Sequence, residues 1–358
     1  MPRRTWQLTA TVGLSAAVLI IAAGADAATG KSTASPGRAV ARWTPADVLK
    51  ASKPYHVIPI YNVPKKLPKY LLAFINPDLG NPFFKSWQSG MKAAAKFYGV
   101  RFIDADAQNN YDSETSLYDL LNAQHPNAVG AHPGNDVIAQ NAYANHQPFT
   151  SIDGYGGSQK ALSGGIGIPD AKAGQLAASG LVPFIKQRVA GAWKGKQLYF
   201  LGLGVPGCAP CEIRPHVAYD SLKGKFHFAD AAYTPSYADP NFGQKWMTDQ
   251  LTAHPDGRFV IVPLNDESLI GVLQALKSAG KLDNALAVTM GSDSTGRGFM
   301  TSYPKTVVNG IDFNPFSEGW NWVVASIARL QHAHYSQYQL SPVLTPATVN
   351  KAYPPGTP

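Results

Sequence analysis

Residues 70–106 read YLLAFINPDLGNPFFKSWQSGMKAAAKFYGVRFIDAD, and this stretch decides the fold. The run Tyr70–Ile75 is apolar, short and closed by Asn76-Pro77, the pattern of a strand buried on both faces. From Phe83 the period changes. Phe83, Trp87, Met91, Ala94 and Tyr98 recur at helical spacing, and Gly99 supplies a residue suited to a left-handed cap. A second buried run, Val100–Ile103, follows at once. Strand, crossover helix and strand make a parallel unit, because parallel neighbours need a connection of about a dozen residues or more.

Further apolar runs at Ala128–Ala131 and Phe149–Ile152, then at Gln197–Leu203, Phe226–Ala231, Phe259–Val262, Ala285–Met290 and Val307–Phe313, read as strands. Between them Asp112 is placed to cap a helix whose Leu117, Leu120 and Leu121 face inward, and Asp136 to begin another. Helical patterns cover Pro215–Lys223, Asn241–Ala253, Ser268–Gly280 and Ser317–His334. The alternation calls for α/β architecture with parallel sheets covered on both faces. At 358 residues the chain exceeds the size at which one core stops growing, about 250–300 residues, so two such domains are expected.

Upstream, Arg3 and Arg4, the apolar stretch Val12–Ala23 and the small residues Ala25-Asp26-Ala27 form a secretory leader over 1–27, cleaved after Ala27. The apolar stretch is short of the roughly 20 residues a span needs. Arg3-Arg4 suits both an ordinary leader and a twin-arginine one, and the product is expected in the periplasm or outside the cell. Residues 28–68 are rich in Pro, Ser, Ala and Lys; Lys53-Pro54, Val63-Pro64 and Leu67-Pro68 break regular structure, which reads as a linker or an arm packed on the surface. The formal charge of +8 is spread without a Lys/Arg cluster, which argues against a nucleic-acid partner. The two cysteines stand in Cys208-Ala209-Pro210-Cys211; outside the cytoplasm the pair is a candidate local disulfide. A thiol oxidoreductase is the alternative, since the pair follows the run Leu198–Leu203 as a redox pair follows a strand.

Ligands of open α/β sheets collect at the carboxyl ends of the strands. The loops there carry Asn76–Phe84, Asp106–Asn110, Asp153, Arg214, Asn265-Asp266-Glu267 and Ser292-Asp293-Ser294. Carboxylates accept from hydroxyls, Arg and Asn donate to them, and aromatic rings pack on C–H faces, a set suited to a neutral polyol. Taken singly, Asp293 also sits where a capping Asp would sit. No enzyme, metal or cofactor site is read. His132, His216 and His254 lack HxxxH spacing and read as surface or helix-end residues, and no GxxxxGK loop occurs. In Gly202-Leu203-Gly204-Val205-Pro206-Gly207 the proline obstructs a dinucleotide-binding helix.

Asn81-Pro82-Phe83-Phe84 with Gly90, Asp106 with Gln108-Asn109-Asn110, Leu251–Asp256, Asn265-Asp266-Glu267 with Gly271, Ala279-Gly280-Lys281 and Gly291-Ser292-Asp293 resemble, in order and spacing, the ribose-binding type of periplasmic binding protein. The resemblance runs from Tyr70 to His334. It implies the type I fold: two doubly wound parallel-sheet domains joined by three hinge crossings, the first of 69–168 plus 315–340 and the second of 169–314 plus 341–358. It also implies a monomer that captures a sugar, sugar alcohol or similar small molecule for a membrane ABC permease; a sensor presenting the ligand to a receptor would share the same site. Asn81, Phe83, Phe84 and Asp153 are the implied contacts from the first domain. Arg214, Asn265 and Asp293 are those from the second, with Asp312 or Phe313 at the last crossover and Tyr237 as an extra aromatic. Where the family pattern has an Arg beside its acidic residue, this chain has Gly154 and then Tyr155, so a ligand other than ribose is as plausible as ribose. Mass spectrometry of the exported protein is expected to find Ala28 as its first residue; an intact Met1 terminus would rule out the leader.

Overall fold

Strand β1 (Leu71–Asn76) is buried along its whole length and lies at the centre of the first sheet, paired in parallel with β2 (Arg101–Asp106) and β3 (Ala128–Ala131). A fourth strand, β4 (Phe149–Ser151), extends the order to β2-β1-β3-β4. The computed structural model describes residues 40–133, 136–153, 165–205, 209–235 and 239–357. The expected leader, Gly154 with Tyr155, Cys208 and Tyr237 lie outside them. The second sheet is also parallel, in the order β6-β5-β7-β8-β9, formed by β5 (Leu198–Gly204), β6 (Asp230–Pro235), β7 (Arg258–Val262), β8 (Ala285–Gly291) and β9 (Val307–Asp312). These sheets define a first and a second lobe.

Helices of the first lobe are α2 (Pro82–Tyr98), α3 (Glu114–Asn122) and α4 (Val137–Ala144), preceded by a short α1 (Pro45–Ala51). Those of the second are α5 (Asp170–Ala190), α6 (Ala209–Lys223), α7 (Pro240–Ala253), α8 (Ser268–Ser278) and α9 (Ser294–Ser302). After β9 the chain returns to the first lobe as α10 (Pro315–Leu330), which packs on α2, β3 and β4. It then crosses back: Leu344 forms an antiparallel bridge with Gly310 of β9, and α11 (Val349–Ala352) lies against α9.

Every residue of α10 from Pro315 to Ala328 is buried. Its crossing with α2 is made by two glycines: a Cβ at Gly90 would collide with the Phe316 carbonyl oxygen, and one at Gly319 with the Trp87 carbonyl oxygen. With no side chain between them the backbones touch. Trp322 then reaches through to donate to the Thr150 carbonyl at 2.8 Å, and Trp320 donates to Tyr98 Oη at 3.3 Å. Each fully buried side chain of this size contributes roughly 1.5–3 kcal/mol of burial free energy.

Of the two sequence readings, linker or packed arm, residues 40–69 follow the second. Val48, Val57 and Val63 are at most 1% exposed, and the arm covers the outer side of α10. Asn321 of α10 accepts from Ile60 N at 3.0 Å and donates to the Ile58 carbonyl at 3.1 Å, while Tyr55 stacks on Phe316 with ring centres 3.9 Å apart. These bonds satisfy backbone groups of a segment that makes few of its own.

Several sequence expectations shift. The strand expected at Phe226–Ala231 is at Asp230–Pro235, because Phe226 and Phe228 are apolar for another reason: they pack on the second-lobe core from the preceding loop. Its Pro235 is tolerated on an edge strand. Asp112 lies inside a 3₁₀ turn, Tyr111–Ser113, capped by Asn110. Leu120 points outward at 62% exposure because Glu114, Tyr118 and Leu121 form the inner face of α3. Helix α6 begins at Ala209, ahead of Pro215, which the helix accommodates in its interior, and α10 spans Pro315–Leu330 rather than Ser317–His334. Helix α5 was not read from the sequence because Pro183 interrupts its pattern.

Gly90→Ala is expected to lower unfolding free energy by about 3 kcal/mol, the upper end of overpacking costs, read as a fall in melting temperature. An unchanged melting temperature would mean that the α2–α10 contact tolerates separation.

Candidate functional site

The carboxyl ends of the two sheets meet where Phe83, in the first turn of α2, comes against Phe313 and Gly291, and this junction of the lobes is the candidate cleft. Asn81 caps that helix, its Oδ1 accepting from Phe83 N at 2.8 Å. This fixes the direction of Phe83 and Phe84. Phe83 lies edge-on to Phe313 of the second lobe at 6.3 Å, and a Cβ at Gly291 would be 3.4 Å from its ring. Gly291 has φ of 131°, a conformation that suits glycine, so its lack of a side chain admits the ring. Phe84, Trp87 and His132 continue the wall, with ring centres 5.0–5.9 Å apart.

Arg214 is the hub of the opposite wall. Projecting from α6, its Nε donates to Asp170 Oδ1 at 2.6 Å and its Nη1 to the Leu264 carbonyl at 2.7 Å, and its guanidinium lies 4.7 Å over the Phe313 ring. Both partners of the Arg214–Asp170 pair are largely buried, so removing either would strand a charge at a cost of about 3–5 kcal/mol. Cys211, one turn earlier on α6, is disulfide-bonded and packs near Leu264; the chain's other cysteine is Cys208.

Asp153 sits at the crossing after β4 with φ of 41°, a left-handed conformation uncommon for Asp, and its Oδ1 accepts from Ile168 N at 2.7 Å. Asn265 uses Oδ1 to accept from Ser268 Oγ at 2.6 Å and Ser268 N at 3.2 Å, which starts α8. Asp266 is buried, accepting from Met290 N at 2.7 Å and Asp293 N at 3.1 Å, and so ties the ends of β7 and β8 together. Asp293 caps α9 through Oδ1, at 2.7 Å from Thr295 N and 3.1 Å from Gly296 N. Its Oδ2 takes no part in the cap, and the side chain also hydrogen-bonds with Glu267.

Asp312 and Phe313 diverge. Phe313 faces the cleft against Phe83 and Arg214, whereas Asp312 accepts from Tyr353 Oη at 2.7 Å and from Asn314 N at 2.8 Å, held by the carboxyl-terminal segment. His132, read from sequence as a surface or helix-end residue, lies in the cleft wall because β3 ends there. His216 and His254 stack on Tyr233 and Tyr199, at 4.1 and 4.0 Å. Sequence reasoning also missed Glu318, which accepts from Trp87 Nε1 at 2.6 Å, and Asp170; both lie near helix starts, where a carboxyl reads as an ordinary dipole partner.

A family profile described as "Periplasmic binding protein domain" matches residues 72–332. The chain belongs to that family. Among curated relatives, the ribose import binding protein of Bacillus subtilis (strain 168) is 28% identical over 207 residues, covering 57% of this chain and 64% of the relative. The ribose import binding protein of Escherichia coli (strain K12) is 26% identical over 234 residues, covering 64% of this chain and 74% of the relative. The fold is shared with an ABC transporter periplasmic solute binding protein from Actinobacillus succinogenes 130z, solved with bound D-allose: TM-score 0.68 and 18% identity, over 79% of this chain and all of that one. Family members of this kind are periplasmic substrate-binding proteins of transport systems.

Burial dominates the electrostatics of the cleft. It raises Asp153 to about 7, helped by the charge of Asp170 and opposed by Arg214. It raises Glu267 to about 8, with Asp293 adding to the shift, and, on the tail side of the crossing, Asp312 to about 7 against the Tyr353 hydrogen bond. Asp266 and Glu318 move the same way, while burial, followed by the nearby Arg214 charge, lowers His132 to about 4. These carboxyls hold protons more tightly folded than unfolded, so the stability they give is whole below about pH 4 and is lost as pH rises through about 7–8. His132 acts oppositely, but only between about pH 4 and 6.5. In the ligand-free protein, unfolding free energy is therefore expected to fall between about pH 6.5 and 8.5, and Asp153→Asn to flatten part of that fall. Denaturant titrations across this range would read it; a rise would contradict the assigned shifts.

Proposed function

We propose that this protein is an exported solute-binding protein that holds one small polyhydroxylated ligand between its lobes and delivers it to a membrane ABC importer, without catalysing a reaction. The observation that carries this reading is the convergence on one cleft of polar and aromatic groups from both lobes. Asn81, Phe83 and Phe84 come from one side, and Arg214, Asn265, Asp293 and Phe313 from the other. A ligand seated there bonds to both lobes at once, and such a ligand favours the closed arrangement by its differential affinity for it. The aromatic rings suit a sugar's C–H face, and the Asn265 amide and Arg214 guanidinium suit its hydroxyl oxygens. Ribose import by two relatives and the D-allose bound to a fold neighbour point to the same ligand class.

Delivery follows from the same geometry. A permease that grips both lobes meets its contact surfaces at the right separation only when the cleft is shut, so occupancy becomes legible at the membrane. The mature chain acts as a monomer in this scheme, because both halves of the site lie on one polypeptide.

The test is a thermal-shift screen of pentoses, hexoses, sugar alcohols and inositols. A ligand at a hundred times its Kd stabilises the folded state by about 2.7 kcal/mol, enough for a shift of several degrees. Arg214→Ala and Asp293→Ala are each expected to abolish the shift relative to the variant's own ligand-free melting temperature. A shift that survives both would move the site elsewhere.

A further inference from the structure

Among the described residues, the cleft gathers more carboxyls than Arg214 alone can neutralise. The charge that acts on Asp153, Asp170 and Glu318 is Arg214, so three acidic groups share one guanidinium, and Asp170 already has its shortest bond. Glu318 is wholly buried in the first turn of α10. Its Oε2 takes the Trp87 N–H, and its Oε1 has no donor among the described residues. Trp87 packs with Phe83, Phe84 and His132, which places this carboxyl at the indole N–H edge of the aromatic wall. Across the cleft Asp293, only 2% exposed, faces another buried carboxyl, Glu267, whose side chain hydrogen-bonds with it and whose Oε1 is left without a partner among the described residues.

Buried polar atoms without partners are uncommon in folded proteins and call for an explanation. Hydroxyls of a neutral polyol would supply donors to these oxygens but would leave the excess of negative charge in a poorly solvated site. A protonated amine supplies up to three donors and the missing charge together. We propose that the ligand is a small polyol carrying a protonated amine, seated between the Asp153–Glu318 side and the Glu267–Asp293 side of the cleft. This rests on the binding-protein reading and narrows its ligand class. The upward shifts of Asp153, Glu267 and Glu318 are the response of the empty cleft to the same excess: without a cation, protons are retained instead.

The experiment is calorimetric titration of the exported protein with matched pairs: D-glucosamine against D-glucose, D-galactosamine against D-galactose, and 1-amino-1-deoxy-D-sorbitol against D-sorbitol. In at least one pair the amine is expected to bind roughly tenfold more tightly, the effect of a charge-assisted bond replacing a neutral one. Glu318→Gln should bring that ratio toward one. Because Glu318 is buried, Asp153→Asn serves as a second variant, and melting temperatures check that both fold. Neutral members binding as tightly as the amines, or a ratio that survives both variants, would overturn the proposal. Binding by neutral members alone would do so while leaving the binding-protein reading intact; binding by neither class would sink both.

Discussion

The contact between α2 and α10, backbone against backbone at Gly90 and Gly319, is the constraint from which the site follows. Helix α10 is the last long element of the first lobe, yet the chain makes it only after completing all five strands of the second sheet. Docking it so closely fixes where the chain crosses between lobes. It also brings the Glu318 carboxyl within reach of the Trp87 N–H, and it sets the start of α2, where Asn81 and Phe83 stand, against the second lobe. A larger residue at either glycine would separate the helices and alter all three arrangements.

The arm and the carboxyl-terminal segment enclose the crossing region from outside. Tyr55 of the arm stacks on Phe316, and its carbonyl accepts from Asn314 Nδ2 at 2.6 Å. Tyr338 donates to the Phe313 carbonyl at 2.6 Å, and Tyr353 to Asp312 at 2.7 Å. Asn314, with φ of 49°, caps α10 in the middle of this cluster. The result is that Phe313 and Asp312, neighbours in sequence, serve opposite sides: one ring lines the cleft while one carboxyl anchors the tail. Opening the lobes must be absorbed by a segment that is densely hydrogen-bonded.

Within the cleft, burial and charge work against each other. Arg214 pairs with Asp170, but the same low-dielectric surroundings penalise Asp153, Glu267 and Glu318, whose protons are held well above the ordinary carboxylate range. Such a site is preorganised for donors. Its oxygens are already desolvated and directed by caps and backbone bonds, so a ligand that brings hydrogen-bond donors meets little reorganisation on entering.

Local sequence determined much of this protein. The period-changing segment from Tyr70 to Asp106 specified a strand, a helix and a strand, because buried parallel strands and amphipathic helices write different spacings, and Asn81, Arg214 and Asp293 were legible as polar groups at strand ends. Only the tertiary structure decided that Asp312 faces the tail, that His132 and Glu318 belong to the cleft, that Leu120 faces solvent, and that the proline-rich arm buries Val48, Val57 and Val63 rather than running free as a linker. The reason is common to all four. Each depends on partners 21 to 261 residues away or on the rotation of one helix against its neighbours, and no local period records such contacts.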